Sequence, residues 1–136
     1  MGDVYVDNTK ESGTLTGANW QFTNASTTVT ETGAAGNTVA ELSSGDYVRT
    51  NGGAQWYKVA SVTDDDNFEI TPAFQQATVT AAAKYNNEDG GTTGQAFCHL
   101  NQTTTDTVRA AGETIYVRAN QTHTYAGIDI TFDEDG

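Results

Sequence analysis

Three features of this sequence predict a mainly β fold, in which an antiparallel β-meander closes into a small sandwich or barrel with at most one short helix. Asn51-Gly52-Gly53 separates two alternating runs, Tyr47–Thr50 and Trp56–Val62, and an Asn-Gly between such runs is the strongest short-range hairpin signal. A second turn, Thr63-Asp64-Asp65-Asp66-Asn67, leads at once into Phe68–Thr71 and the single Pro72. Three strands this closely spaced must pair antiparallel, because a parallel return needs a crossover of about a dozen residues or more. The third feature is composition: 24 threonines, 10 valines and 6 tyrosines suit a thin, half-buried pleated surface.

The remaining elements follow from the same signals. Val4-Tyr5-Val6 is a short strand ended by Asp7-Asn8, and Thr27–Thr30 alternates before the turn-rich stretch Gly33–Asn37. Ala77–Tyr85 adds a strand, and Asn86-Asn87-Glu88-Asp89-Gly90-Gly91 reads as a loop and boundary. Helical periodicity is weak except over Thr92–Ala111, where Phe97, Leu100, Thr104 and Val108 recur at helical spacing and Gly112 follows as a C-cap; this reads as a short helix or helical turn, with an extended strand as the alternative. Thr114–Arg118 is a further strand, then a break spans Ala119–Gln121. The last strand places Ile128, Ile130 and Phe132 on one face. These elements divide the chain into an N-terminal strand and cap segment (1–26), an antiparallel β module (27–85) and a C-terminal segment (86–136).

Leu, Ile, Val and Phe number only 3, 4, 10 and 5, below the roughly 20 % that, with high net charge, marks disordered chains. The aromatic content opposes that reading, and Trp20, Phe22 and Trp56 serve as the large core or interface side chains that offset the scarcity of leucine. A formal charge of −12 with six scattered cations removes the electrostatic basis for binding nucleic acid or an anionic membrane. No apolar run approaches the roughly 20 residues of a spanning helix, and the start MGDVYVDNTKES lacks the basic and apolar regions of a Sec signal. A single Cys98 excludes an intrachain disulfide.

Little in the sequence points to catalysis. His99 and His123 lack partners at metal-ligand spacing, and no nucleophile elbow, Walker loop or dinucleotide fingerprint is present. The runs Asp64–Asp66 and Asp133–Asp135 carry oxygens suited to Ca²⁺ but match no calcium loop, and an Asp/Asn run between strands reads as a solvated turn. Asn24, Asn101 and Asn120 head Asn-x-Ser/Thr sequons. No catalytic residue, cofactor or metal is therefore expected. Trp20, Phe22, Trp56, Tyr57, Tyr116 and Tyr125 admit a carbohydrate platform, but core packing is the simpler use.

The stretch Thr27–Phe74 resembles a small β module common in the virion proteins of tailed phages. Leu42, Gly45, Asp46, Trp56, Tyr57, Val59, Ser61 and Val62 match its Leu-x-x-Gly-Asp step and its Trp/Tyr-Tyr-x-Val-x-Ser-Val strand. The module's Gly-Thr-x-Phe is replaced by Asn37-Thr38-Val39 after Gly36. The two ends of the chain resemble the opening of right-handed parallel β-helix proteins. Val4-Tyr5-Val6-Asp7 matches their first strand, Asp89-Gly90-Gly91-Thr92 leads to the cap helix, and Gly112–Val117 matches the first rung. A solenoid end exposes strand edges, so a cap is physically required.

These resemblances imply the N-terminal region of a tail spike, tail fibre or head fibre, with a β module inserted into the cap of a parallel β-helix. They imply a non-enzymatic virion protein that attaches a fibre, spike or decoration to capsid or tail subunits and assembles as a trimer, without nucleic-acid or membrane partners. Trp20, Tyr47, Trp56 and Tyr57 are then the expected interface anchors, because aromatic residues dominate interface energetics. Two alternatives stay open: the N-terminal part of a β-helix polysaccharide lyase or hydrolase, and a carbohydrate-binding adhesin module.

Overall fold

The computed structural model describes residues 4–7, 9–87, 115–117, 121–125 and 128–132. The chain forms two compact units, residues 11–87 and residues 1–10 with 88–136. The sequence reading divides the chain at 26/27 and 85/86; the central sheet also takes in two strands that precede residue 27.

In the 11–87 unit the strands are β2 (Gly13–Thr14), β3 (Trp20–Phe22), β4 (Thr28–Glu31), β5 (Tyr47–Thr50), β6 (Tyr57–Asp64), β7 (Asn67–Thr71), β8 (Val79–Ala81) and β9 (Ala83–Asn86). They form one sheet in the order β2-β9-β5-β6-β7-β4-β3-β8, with every neighbour antiparallel. β8 and β9 are halves of one strand separated by Ala82 alone. One half pairs with β3 and the other with β5 and β2, so the order returns on itself and the sheet closes as a small barrel. Closure removes the long open edges that would otherwise template aggregation.

The barrel is filled by the inward positions of its strands. Trp20, Phe22, Val29, Val48, Tyr57, Val59, Phe68 and Ile70 are buried, joined by Leu15, Leu42 and Phe74 from the connections. Aromatic rings replace the missing leucines: Phe74 lies 5.4 Å from Phe22 and 5.3 Å from Tyr57 between ring centroids, and Trp20 lies 5.4 Å from Phe68, all tilted. Such pairs add roughly 0.5–1.5 kcal/mol beyond their area burial.

Three local features depart from simple alternation. Register shifts between Val59 and Ser61, and between Val62 and Asp64, end the buried alternation of β6 after Val59. Bulges of this kind bend a strand as barrel closure requires. The Asn51-Gly52 turn forms, with Gly53 N–H donating to Thr50 O at 2.9 Å, but β5 and β6 pair only at Tyr47–Lys58 and Val48–Tyr57. The hairpin is therefore wide: Arg49 and Thr50 keep their pairing with β9 on one side while the β6 side opens into the loop. The third feature is a single turn of helix, α1 (Thr38–Glu41), closed by Leu42 N–H to Thr38 O at 2.8 Å, in a segment that the sequence left without a helix.

The β3–β4 turn carries Ala25 at φ 61°, a left-handed conformation that disfavours any Cβ. Its N–H donates to Phe74 O at 2.7 Å, which holds it there. Ala25→Gly is expected to stabilise the chain by about 1 kcal/mol, read as a higher midpoint in urea at unchanged slope.

In the other unit, β1 (Val4–Val6) pairs in parallel with β10 (Ile115–Val117), in the register Val4–Ile115, Tyr5–Tyr116 and Val6–Val117. The strands expected at these two places are present. β11 (Gln121–Tyr125) and β12 (Ile128–Phe132) form an antiparallel hairpin. β12 has the span expected of it, whereas Gln121, expected in a break, opens β11 opposite Phe132. The helix expected over Thr92–Ala111 lies outside the described residues. Among those residues, no helix is long and apolar enough to cross a membrane.

Candidate functional site: the neck of the inserted barrel

Residues 11–87 stand in the chain between two strands, β1 and β10, that pair with each other. The barrel is thus an insert in the chain. Ser12 and Asn87 join its two ends: Ser12 Oγ donates to Asn87 Oδ1 at 2.7 Å, and Asn87 N–H donates to Ser12 Oγ at 3.0 Å. Ser12 N–H also donates to Tyr85 O at 2.7 Å.

The adjoining charge cluster has a clear origin in strand register. β5 and β9 place Arg49 and Lys84 directly opposite each other, an arrangement of like charges that is unfavourable alone. Glu11, the first residue of the insert, bridges them: Lys84 Nζ donates to its Oε1 at 2.8 Å and Arg49 Nη2 to its Oε2 at 3.2 Å. Arg49 Nη1 reaches Gly53 O at 3.1 Å, and the guanidinium carbon stands 4.8 Å from the centre of the Trp56 ring. A guanidinium over an indole face is a cation–π pair. The cluster ties the start of the insert to β5, β9 and the β5–β6 loop.

Burial works against the charge of Glu11, but hydrogen bonds from Lys84 and Arg49, together with their charges, outweigh it and hold the carboxyl below its ordinary value of 4.5. A depressed folded pKa contributes stability that is present above the unfolded value and is lost as pH falls through the folded one. Glu11→Gln is therefore expected to lower stability by less than about 1 kcal/mol at neutral pH, the range for exposed ion pairs. The gap from the parent chain should close as pH falls below 4.5. Urea titrations of both proteins across that interval measure it.

The Asp64–Asp66 run caps the opposite kind of feature, the β6–β7 hairpin. Asp64 Oδ1 accepts from Asn67 Nδ2 at 2.8 Å and from Asp66 N–H at 2.9 Å, and these bonds, the Asn67 one foremost, lower its pKa. Asp66 Oδ1 accepts from Gly36 N–H at 2.7 Å, and Asp65 Oδ1 from Val39 N–H at 3.3 Å. Thr38 Oγ1 donates to Asp64 O, and Glu31 N–H to Asp66 O at 2.8 Å. The carboxylates thus hold the Gly33–Glu41 connection by its N–H groups, which is the turn reading of these acids. No group of three or more His, Cys, Asp or Glu side chains among the described residues is placed to hold a metal ion.

Glu31 is a buried carboxylate that the sequence reading passed over. It faces inward with Val29, two positions before it on β4, so strand alternation was a signal that could have found it. Its oxygens accept from Asn19 N–H at 3.0 and 3.2 Å, Gly33 N–H at 2.9 Å and Ala34 N–H at 3.2 Å. Gly17, at φ 98°, passes so close that a Cβ there would collide with the carboxylate.

The four expected interface anchors can each be placed. Trp20, Tyr47, Trp56 and Tyr57 are all buried, at 0 %, 2 %, 4 % and 1 % exposure. Trp20 and Tyr57 belong to the core cluster of the barrel, whereas Tyr47 and Trp56, the chain neighbours of the inward-facing Val48 and Tyr57, lie outside that cluster. Burial also raises the pKa of Tyr57, whose hydroxyl accepts from Gln75 N–H at 3.3 Å. His123 lies in β11 opposite Ile130, while Cys98, His99 and Asp133–Asp135 lie outside the described residues. Compared with protein-family models, curated proteins and solved structures, the chain matches none.

Proposed function

We propose that this chain is a non-enzymatic structural protein of a tailed-phage virion, whose β-rich region attaches a fibre, spike or decoration to the capsid or tail. The observation that carries this reading is the insertion: residues 11–87 form a closed barrel between two strands that pair in parallel, β1 and β10. A parallel pair at the ends of a long insert is the arrangement that the likeness to a capped β-helix implies. A barrel joined at its neck by Ser12, Asn87 and Glu11 is a suitable carrier of a docking surface, because its ends are held and few strand edges are left open. The docking surface lies outside the four buried aromatics. The protein assembles as a trimer on the virion, with capsid or tail subunits as its partners.

Light-scattering mass and cosedimentation of the full chain with genome-free capsids and isolated tails test this reading. A trimeric mass and stoichiometric binding to one particle type are the expected results. A soluble monomer that binds neither would overturn the proposal.

A further inference from the structure

We propose that Asn51-Gly52 is a site of spontaneous backbone modification, at which Asn51 converts through a cyclic imide to aspartate and isoaspartate. The reaction needs a side-chain amide free to turn and a following N–H free to act as nucleophile. Both are present here. Asn51 and Gly52 are exposed, and among the described residues no hydrogen bond engages either the Asn51 side chain or the Gly52 N–H. The flanking chain is nevertheless anchored, by Asn51 N–H to Ala82 O at 2.8 Å and Gly53 N–H to Thr50 O at 2.9 Å. Gly52, at φ 81°, has no Cβ to obstruct ring closure.

Asn24, Asn37, Asn67 and Asn86 each lack one requirement or more. The Asn24 amide donates to Gln76 O, and the next N–H, of Ala25, donates to Phe74 O. Asn37 precedes a β-branched residue, Thr38, whose N–H is bonded to Asp65 O. Asn67 is held by Asp64 and Thr30, and Asn86 is fully buried.

In the reaction the Gly52 amide nitrogen, having lost its proton to solvent, forms a bond to Asn51 Cγ, and the side-chain nitrogen leaves as ammonia. Water then opens the imide at either carbonyl, so one oxygen from water enters and no oxidant is needed. Opening on one side gives aspartate. Opening on the other gives isoaspartate, which adds a methylene to the main chain between Thr50 and Gly53. Each product places a carboxylate in the β5–β6 loop, between Arg49 of β5 and Trp56.

The full chain, kept in warm, mildly alkaline heavy-oxygen water and then peptide-mapped, tests the proposal. Asn51 is expected to be the first asparagine to take up label, with part of the product accepting methyl groups from protein isoaspartyl methyltransferase. Asn51→Gln should lose both signals at this position, since its longer side chain closes a larger and slower ring, and this exposed substitution leaves the core untouched. An unlabelled Asn51 at the end of the incubation, or another asparagine converting before it, would overturn the proposal.

Discussion

Glu31→Ala should lower the stability of the chain by about 2–3 kcal/mol, the range for hydrogen bonds to a charged group together with the donors left behind. The carboxylate accepts N–H groups from both sides of β4's end: Asn19 from the connection before β3, and Gly33 and Ala34 from the connection after β4. Removing it frees three donors at once and unpins two connections. Glu31→Gln keeps one oxygen acceptor of the same reach, but turns an NH₂ group toward backbone donors, so an intermediate loss of about 1 kcal/mol is expected. Urea denaturation of the three proteins measures the order. Equal losses in the alanine and glutamine variants would show that charge, rather than the N–H cradle, is what Glu31 supplies.

Trp20→Ala is expected to cost more, about 3–5 kcal/mol, because a large, fully buried side chain leaves a cavity that a closed barrel cannot collapse to fill. Its ring packs at 5.4 Å from Phe68 and passes beneath Gly36. Trp20→Phe makes a sharper test. The Trp20 indole N–H is buried and finds no acceptor, and a buried donor without a partner costs roughly 1–3 kcal/mol. Phenylalanine loses ring volume but removes that donor, so its loss should be less than half that of alanine. A phenylalanine variant as unstable as the alanine one would mean that the indole nitrogen is satisfied in solution.

Much of the fold was legible because it depends on local pattern. The alternation of Tyr47–Thr50 and Ile128–Phe132 marks strands over the spans observed, and the Asp-rich run between β6 and β7 reads as the tight turn that it is. Two of the elements that the sequence reading missed show the physical reason. Trp20-Gln21-Phe22 is too short for alternation to register, and becomes a strand only because β4 and β8 flank it. Thr38–Glu41 is a single helical turn, stabilised by Thr38 and Val39 bonding to the distant Asp64–Asp65.

The candidate site was less legible than the fold. Glu11, Arg49 and Lys84 are scattered single charges in sequence, and only the pairing of β5 with β9 brings the two cations together for Glu11 to bridge. The large aromatics read as core or interface side chains, and the structure puts Trp20, Phe22 and Tyr57 in the core.

By itself, then, the sequence determined a mainly β chain with antiparallel turns and an aromatic core in place of leucine, because turn chemistry and two-residue periodicity act over a few neighbours. Only the tertiary structure decided that the sheet closes through a single break at Ala82, that residues 11–26 belong to it, and where the polar groups of the neck meet. Those outcomes depend on pairings between residues as far apart as Gly13 and Tyr85, or Val4 and Ile115, whose register no local pattern encodes.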